Sequence, residues 1–326
     1  MEAGVRHSWV AGVVLSCFAL LSGCGGGPKK KQIAVIPKAT SHVFWVTVQA
    51  GAMAAGEQFG VEVLWNGPPS ETEYSRQIQI IDSMVARHVD AIAVAAAERK
   101  AIVQSVDRAV AAGIPVTVFD SGLDSDKYMT FLSTNNYEGG VLAARELARE
   151  LNGQGDVALL MHMPGSMSTM EREKGFEDTV TKEFPKIKIV ARQYGQSDRA
   201  KARAAAENFL AGNSSLKGIF ASSEPSSIGA SLAVKARDLQ DKVAVVAFDS
   251  SDTLIEGMKE GSVDAMVVQD PFKMGFEAVR TLVDKLNGKD SPKRIDLSAK
   301  VVTKADLDKP EVKQVLYPDI KKYVKE

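Results

Sequence analysis

The sequence predicts an α/β protein of two lobes, in each of which helices cover a parallel sheet. Short β-rich runs alternate with helical patterns from Gln32 onward, and this order is typical of parallel sheets covered on both faces. The alternation starts again near Tyr137, which favours two lobes over one wide sheet. The length of 326 residues allows two domains.

The first half of this alternation predicts five strands separated by helices. Residues 44–59 are an Ala-rich helix candidate. The next helix follows Ser70-Glu-Thr-Glu73, which fits a capping box, and a third helix ends at Gly113. The strands are short apolar runs at residues 32–37, 61–65, 90–95, 115–119 and 129–132.

The second half repeats the order of strand and helix. Its strand candidates are residues 156–161, 187–194, 218–221, 243–248 and 265–268. Its helix candidates are residues 137–151, 168–183, 199–210 (with Asp198 as the cap), 228–236, 254–260 and 272–286. The stretch after Asp296 is polar and lysine-rich, and the pattern assigns it to no element.

Residues 1–23 have the pattern of an export signal. Arg6 and His7 precede an apolar run over residues 9–21, which is shorter than the about 20 residues that a spanning helix needs. The run ends in Leu21-Ser22-Gly23-Cys24, which resembles the lipobox of bacterial lipoproteins. The resemblance implies cleavage before Cys24 and lipidation of its thiol. An uncleaved anchor helix is the alternative.

The mature chain would then begin with a lipid anchor on a tether. Residues 24–31 contain three glycines and three lysines, a composition that favours a flexible, solvated segment. Several acyl chains on Cys24 would hold the protein stably at a membrane. The other cysteine, Cys17, lies in the segment to be removed. The mature domain is therefore predicted to have no disulfide, no thiolate metal site and no cysteine nucleophile.

Composition and motifs argue against several functional classes. The net charge of -1 gives no sign of the basic face that nucleic acid requires. The sequence contains no Walker loop, no zinc-protease or serine-hydrolase motif and no dinucleotide fingerprint, so no enzyme and no cofactor are predicted. Asp120, Asp124 and Asp126 lack the spacing of an EF-hand, so no metal site is predicted. His88 and His162 are interpreted as structural residues.

Polar and aromatic side chains follow the predicted strands, at the edge where open parallel sheets bind ligands. Carboxylates accept hydrogen bonds from hydroxyls, Arg and amides donate them, and an aromatic face covers the C–H face of a sugar, so this mixture suits a polyol. Structural alternatives remain open: an aromatic pair in the core, Asp caps, a solvated Arg and a Gln at a loop tip. The candidates include Phe44, Trp45, Asp120, Arg172, Asp249 and Gln269.

Short motifs at these positions carry a family resemblance. They are Phe44-Trp45-Val-x-Val-x-x-Gly51-Ala52, Gly113-Ile-Pro-Val-x-x-Phe-Asp120, Asn136-x-x-Gly139-Gly140, Glu171-Arg172-x-x-Gly175-Phe176, Phe248-Asp249 and Gln269. With them the chain resembles the ribose-type periplasmic sugar-binding proteins over residues 32–303. The resemblance implies two Rossmann-like lobes joined by a three-strand hinge, the type I periplasmic binding protein fold, with a sugar in the cleft.

The resemblance also implies a role for each matching residue. Phe44 and Trp45 would sandwich the sugar ring from the first lobe, and Asp120 would bind its hydroxyls there. Arg172 would reach the ligand from the second lobe. Asp249 and Gln269 would bind it near the hinge, where the two lobes meet.

Four positions depart from the ribose-type pattern. His42 stands where an Asn is usual, Ser121 replaces an Arg, Ser197 replaces an aromatic residue and Ser223 replaces an Asn. Because an Arg and an aromatic side chain are lost, the ligand is expected to differ from ribose. A hexose, a deoxy sugar or a polyol is predicted, and the sequence does not choose among them.

These inferences predict a domain plan and a function. Residues 32–134 plus 270–298 would form the first lobe, and residues 135–269 plus 299–326 the second lobe and tail. The chain is expected to act as a monomeric, lipid-anchored substrate-binding protein that delivers its ligand to an ABC permease in the inner membrane, with no nucleic acid partner. Its location would be the periplasm or the cell surface. A sensor signalling to a membrane receptor and a sugar-acting enzyme are the alternatives.

Overall fold

The computed structural model describes residues 1–4 and 30–324. Most of the predicted export signal, the lipobox with Cys24 and most of the tether lie outside the described residues. Among the residues that are described, no helix is both long and apolar enough to cross a membrane.

Strands and helices alternate along the described chain. The strands are β1 (Gln32–Ile36), β2 (Glu62–Trp65), β3 (Ala91–Val94), β4 (Val116–Phe119), β5 (Thr130–Thr134), β6 (Gly155–Met161), β7 (Ile187–Tyr194), β8 (Leu216–Ala221), β9 (Ala244–Phe248), β10 (Ala265–Val268), β11 (Arg294–Leu297) and β12 (Lys300–Thr303). The helices are α1 (Val43–Phe59), α2 (Tyr74–Ala86), α3 (Val103–Ala111), α4 (Asn136–Glu150), α5 (Met167–Glu183), α6 (Arg199–Gly212), α7 (Glu224–Lys235), α8 (Asp252–Glu260), α9 (Pro271–Leu286) and α10 (Pro310–Leu316).

The strands form two six-stranded sheets with the same topology. The first sheet has the order β11-β5-β4-β3-β1-β2, and the second has the order β12-β10-β9-β8-β6-β7. Every pair in the first sheet is parallel, whereas β12 joins β10 antiparallel in the second. The predicted α/β fold of two lobes is confirmed, with one antiparallel edge strand as the exception.

Three segments connect the two sheets within residues 30–324. The chain leaves β5 of the first sheet for α4, returns from β10 to α9 through Gln269 and Asp270, and passes from β11 to β12 through Ser298 and Ala299. β12 lies in the polar stretch after Asp296, and β11 lies where that stretch begins; the sequence pattern predicted neither strand. They pair only with distant strands, so local sequence carried little signal for them.

Each lobe has apolar clusters on both faces of its sheet. In the first lobe Ile33 and Val35 pack on one face with α1 and α9, while Ala34 and Ile36 pack on the other with α2 and α3. This alternation follows from the two-residue period of a strand that is buried on both faces. The second lobe repeats the arrangement with α4 and α5 on one face and α6 and α7 on the other.

The predicted capping box before α2 is wrong. The helix begins after Glu73, whose side chain makes no cap hydrogen bond, and Ser70 lies in the preceding turn. Glu71, in that same turn, is buried and points its carboxylate at residues of the cleft. Residues 70–73 therefore form a turn that carries a buried carboxylate, and they do not cap a helix.

Candidate functional site

The candidate site lies between the two lobes, at the carboxyl ends of the strands. Eight of the nine predicted residues line one cavity there, and Ser121 does not. Ser121 is fully buried instead, and its Oγ accepts a hydrogen bond from the Ser168 backbone N–H across the lobes at 3.3 Å. The eight are His42, Phe44, Trp45, Asp120, Arg172, Ser223, Asp249 and Gln269.

Asp120 and Asp249 occupy matching positions in the two lobes. Each directly follows a buried strand that ends in Phe, and each has a left-handed backbone, with φ of 56° and 70°. Asp tolerates this conformation better than most residues. Asp249 Oδ2 accepts from the Glu224 N–H at 2.9 Å, and its Oδ1 accepts from Gln269 Nε2 at 2.6 Å. Neither Asp caps the helix that follows it, since Asn135 caps α4 and Ser251 caps α8.

Arg172 is a buried cation fixed by polar and aromatic contacts. Its Nε donates to Asn136 Oδ1 at 2.8 Å, and its NH1 donates to the Ser222 carbonyl at 3.0 Å. The guanidinium lies 3.9 Å from the centre of the Phe248 ring, and NH1 lies 3.9 Å from Asp249 Oδ2. Because the side chain is only 3% exposed, the interpretation as a solvated charge is wrong.

A second polar cluster was not predicted. Glu71 Oε1 accepts from the indole N–H of Trp45 at 2.9 Å, and Glu71 Oε2 lies 2.8 Å from His162 Nε2 on the other lobe. Lys38 Nζ lies 3.0 Å from Asp120 Oδ2 and 3.8 Å from Glu71 Oε2. His162 therefore belongs to the cleft rather than to the structural background that the sequence suggested. Lys38 carried a usable signal, because it directly follows the predicted strand at residues 32–37.

Charged neighbours within this cluster shift the pKa values of Glu71 and His42. Burial alone would raise the pKa of Glu71, but Lys38 and His162 outweigh it and hold that pKa well below the usual range. Burial would lower the pKa of His42, yet its contact with Glu71 leaves that pKa raised. An ionised Glu71 only accepts hydrogen bonds, so His162 Nε2 is the donor in the bond between the lobes.

Three buried oxygens at the site can accept hydrogen bonds from a ligand. Glu224 Oε2 and Gln269 Oε1 have no hydrogen-bond partner among the described residues, and Asp120 Oδ2 has the Lys38 ammonium as its ion-pair partner at 3.0 Å. Burial raises the pKa of Glu224, and the Arg199 guanidinium contacts its other oxygen. All three atoms are acceptors as placed, so the site suits a ligand that donates hydrogen bonds.

The aromatic pair lies at one wall of the cavity. The rings of Phe44 and Trp45 are 5.0 Å apart at 89°, so they present an edge-to-face pair and not two parallel faces. Trp45 is only 2% exposed and is held by Glu71, whereas Phe44 is half-buried. The geometry places one ring of the pair, Phe44, where it can cover a ligand, while Trp45 supports it.

Contacts between the lobes bring the walls of the cleft together. Lys38 Nζ donates to Ser166 Oγ and Ser168 Oγ at 3.2 Å, and the Arg99 N–H donates to the Gly165 carbonyl at 2.9 Å. The free space inside the site is about 30 Å³. That is room for one or two waters, so a sugar ring needs the lobes to move apart or Lys38 to move aside.

Glu173 stands next to Arg172 and gives the fold a pH dependence. Its Oε1 accepts from the His162 N–H at 3.0 Å and from Ser222 Oγ at 2.8 Å. Burial is the largest influence and raises the pKa of Glu173 to about 7, against 4.5 for the ordinary side chain. The folded chain thus binds the Glu173 proton more tightly than the unfolded chain does. The protonated carboxyl therefore contributes its full stability below pH 4.5, and this contribution is lost as the pH rises to 7.

The Glu173→Gln variant is therefore expected to gain stability relative to the unchanged protein as pH rises. The amide keeps both hydrogen bonds without titrating, so the gain between pH 5 and pH 8 should be roughly 2 kcal/mol. Urea unfolding at both pH values measures it. Glu256→Gln, at an exposed position, is the control. A gain that is equal in the two variants contradicts the prediction.

Comparison with known proteins agrees with this fold. Residues 33–290 match the family model described as periplasmic binding protein domain. The chain is 27% identical over 278 residues to the ribose import binding protein of Bacillus subtilis, covering 85% of this chain and 89% of that protein. It is also similar to the D-allose-binding periplasmic protein of Escherichia coli, at 28% identity over 78% of this chain and 84% of that protein.

Solved structures of solute binding proteins have the same fold as this chain. An ABC transporter solute binding protein from Agrobacterium vitis with bound D-fucose superimposes with a TM-score of 0.85 at 38% identity, covering 88% of this chain and 100% of that chain. A carbohydrate transporter solute binding protein from Agrobacterium radiobacter in complex with D-arabinose gives 0.86 at 33% identity, covering 88% and 99%.

Fold and cleft together define a two-lobed solute-binding protein. The chain belongs to the periplasmic binding protein family. The predicted substrate-binding role in an ABC importer of sugars is confirmed by this membership, as is the prediction that the protein is not an enzyme.

Proposed function

We propose that the cleft binds a monosaccharide or polyol and that the closed form delivers it to an ABC permease. The observation that carries this proposal is the set of buried acceptors, on Asp120, Glu224 and Gln269, between the two lobes. Hydroxyl groups of a sugar would donate to these oxygens. Sugars bound by similar proteins, such as D-fucose and D-arabinose, support a neutral, hydroxylated ligand.

The predicted residues keep distinct roles in this proposal. Phe44 covers one face of the sugar with support from Trp45, and Asp120 and Asp249 accept hydroxyl hydrogen bonds from opposite lobes. Arg172 donates toward the ligand, and Gln269 reaches it from the connection between the lobes. His42 and Ser223 line the inner site, while Ser121 acts through its contact with Ser168. Lys38, Glu71 and His162 join the set.

A calorimetric screen of monosaccharides and polyols tests the proposal. The Asp249→Asn variant is expected to bind the best hit at least about tenfold more weakly, because a charged acceptor is replaced by a neutral one. Asn suits this position better than Ala, since Asp249 has a left-handed backbone.

Asp238→Asn is the matched control, because Asp238 also has a positive φ of 53° but is exposed and lies outside the cleft. The proposal fails if no sugar or polyol binds, or if both variants bind the hit as the unchanged protein does.

Export with a lipid anchor on Cys24 completes the proposal. The motif Leu21-Ser22-Gly23-Cys24 and the short apolar run before it support it. Mass spectrometry of the mature N-terminus tests the anchor, and an unmodified Cys24 would contradict it.

The domain plan of two discontinuous lobes is supported by the sheet membership of β11 and β12. A sensory role uses the same cleft, and a neighbouring chemoreceptor or kinase gene would favour it.

A further inference from the structure

The C-terminal segment crosses between the lobes beyond the three connections described above. α10 packs Val312, Val315 and Leu316 into the apolar cluster around α8 in the second lobe. Seven residues later the Tyr323 ring lies 5.8 Å from the ring of Phe272 on α9, which packs on the first sheet. The intervening residues 317–322 therefore bridge the two lobes beside the cleft.

This bridge closes one side of a large outer cavity. The cavity has a volume of about 580 Å³, against about 30 Å³ for the inner site. One wall is the beginning of α1, a second is Ser250 with the first turn of α8, and the third is the bridge with Tyr317. A volume of this size lies within the range of small-molecule sites, about 300–1,000 Å³.

The outer cavity adjoins the inner site. Phe44, Asp249 and Gln269 line both. Gln269 is 2% exposed, and its Oε1 has no hydrogen-bond partner among the described residues. A sugar ring enters the inner site only when the lobes move apart or Lys38 moves aside, and a single ligand bound in that way would extend past these three side chains into the outer cavity.

The lining of the outer cavity has the chemistry of a carbohydrate subsite. Ser250 and Thr253 offer hydroxyls, and the half-exposed Tyr317 offers an aromatic face together with Phe44. Aromatic faces and neutral hydrogen-bonding groups suit C–H faces and hydroxyls. The charges that line it include both signs, Arg199 and Lys321 against Asp249, Asp252 and Asp319, so a neutral unit suits it better than an ion.

We propose that the outer cavity is a second subsite, which takes a second hydroxylated unit of the ligand. On this proposal, which rests on the proposed function, the preferred ligand is a disaccharide or a glycosylated polyol with its first unit in the inner site. The bridge formed by residues 317–322 supplies the outer wall.

Calorimetry with single-unit and two-unit probes tests the second subsite. D-Ribose, D-allose, D-arabinose and D-fucose are the single units, and melibiose, lactose, trehalose and glucosylglycerol are the two-unit probes. At least one two-unit probe is expected to bind about tenfold more tightly than every single unit, because an added aromatic contact and hydrogen bonds contribute.

Two variants assign that preference to the outer cavity. Tyr317→Ala is expected to weaken the two-unit probe about tenfold and to change single-unit affinity less than about twofold. Thr253→Trp, at an exposed position, should fill the cavity and remove the preference. Tyr74→Ala, at an exposed tyrosine that lines neither cavity, should change nothing.

The outcomes separate the two proposals. If single units bind and two-unit probes bind no more tightly, the second subsite is wrong while the sugar-binding function stands. Equal losses for both kinds of probe in Tyr317→Ala also overturn the subsite. If no probe of either kind binds, both proposals fail.

Discussion

Gly140→Ala is expected to destabilise the protein by about 3 kcal/mol or more, because backbone would have to move to admit one methyl group. A Cβ at Gly140 on α4 would overlap the Arg172 carbonyl oxygen and lie 2.8 Å from the Phe176 backbone nitrogen on α5. Gly175 makes the reciprocal approach, facing the Tyr137 carbonyl. The two helices therefore touch through their backbones, and neither obstacle is a flexible side chain.

The same change should weaken ligand binding, since α5 carries Arg172 into the cleft. Thermal unfolding measures the stability, and calorimetry with the best sugar hit measures the affinity. Gly212→Ala is the matched control, because a Cβ there meets nothing within 4 Å. It should be neutral or slightly stabilising, as Ala favours helix over Gly. A Gly140→Ala protein as stable as Gly212→Ala contradicts the close helix contact.

Glu71→Leu is expected to cost about 4 kcal/mol, because it removes one of the two carboxylates beside a buried cation and the acceptor of two N–H donors. Lys38 would keep Asp120 and two serine hydroxyls, Trp45 Nε1 would lose its acceptor, and His162 would lose its bond across the lobes. Glu71→Gln should cost about half as much. Its amide oxygen can still accept from Trp45, although the charge facing Lys38 is gone.

Urea unfolding of these variants checks the role of Glu71. Glu73→Leu is the control two residues away, where the side chain is exposed and caps nothing. That control should stay within about 0.5 kcal/mol of the unchanged protein. Equal losses in the free energy of unfolding at positions 71 and 73 would contradict a stabilising role of the buried cluster.

Local patterns in the sequence were sufficient to predict two lobes of alternating strands and helices. Strands such as β1 and β3 are buried on both faces, so their continuous apolar runs were visible without any knowledge of partners. β11 and β12 were not visible, because their short apolar pairs lie in a polar, lysine-rich stretch of the chain. Their formation depends on strands more than thirty residues away, which local composition cannot report.

The site was predictable where a residue follows a strand and carries a motif. Asp120 and Asp249 were found in this way, and the structure brings them to one cavity. Their binding roles stay predictions until a ligand is measured. Glu71 was overlooked because it occupies an intermediate position of Ser70-Glu-Thr-Glu73, which was interpreted as a capping box. Only the fold shows that its carboxylate is buried against Trp45 and His162.

The sequence by itself determined the α/β class, the two lobes, the family resemblance and the residues that follow the strands, because these features depend on local periodicity and short motifs. The tertiary structure alone decided which charges meet in the cleft and that the C-terminal segment bridges the lobes. The pairing of Glu71 with His162 joins positions 91 residues apart. Such contacts depend on how the lobes close, and no local pattern in the chain encodes that closure.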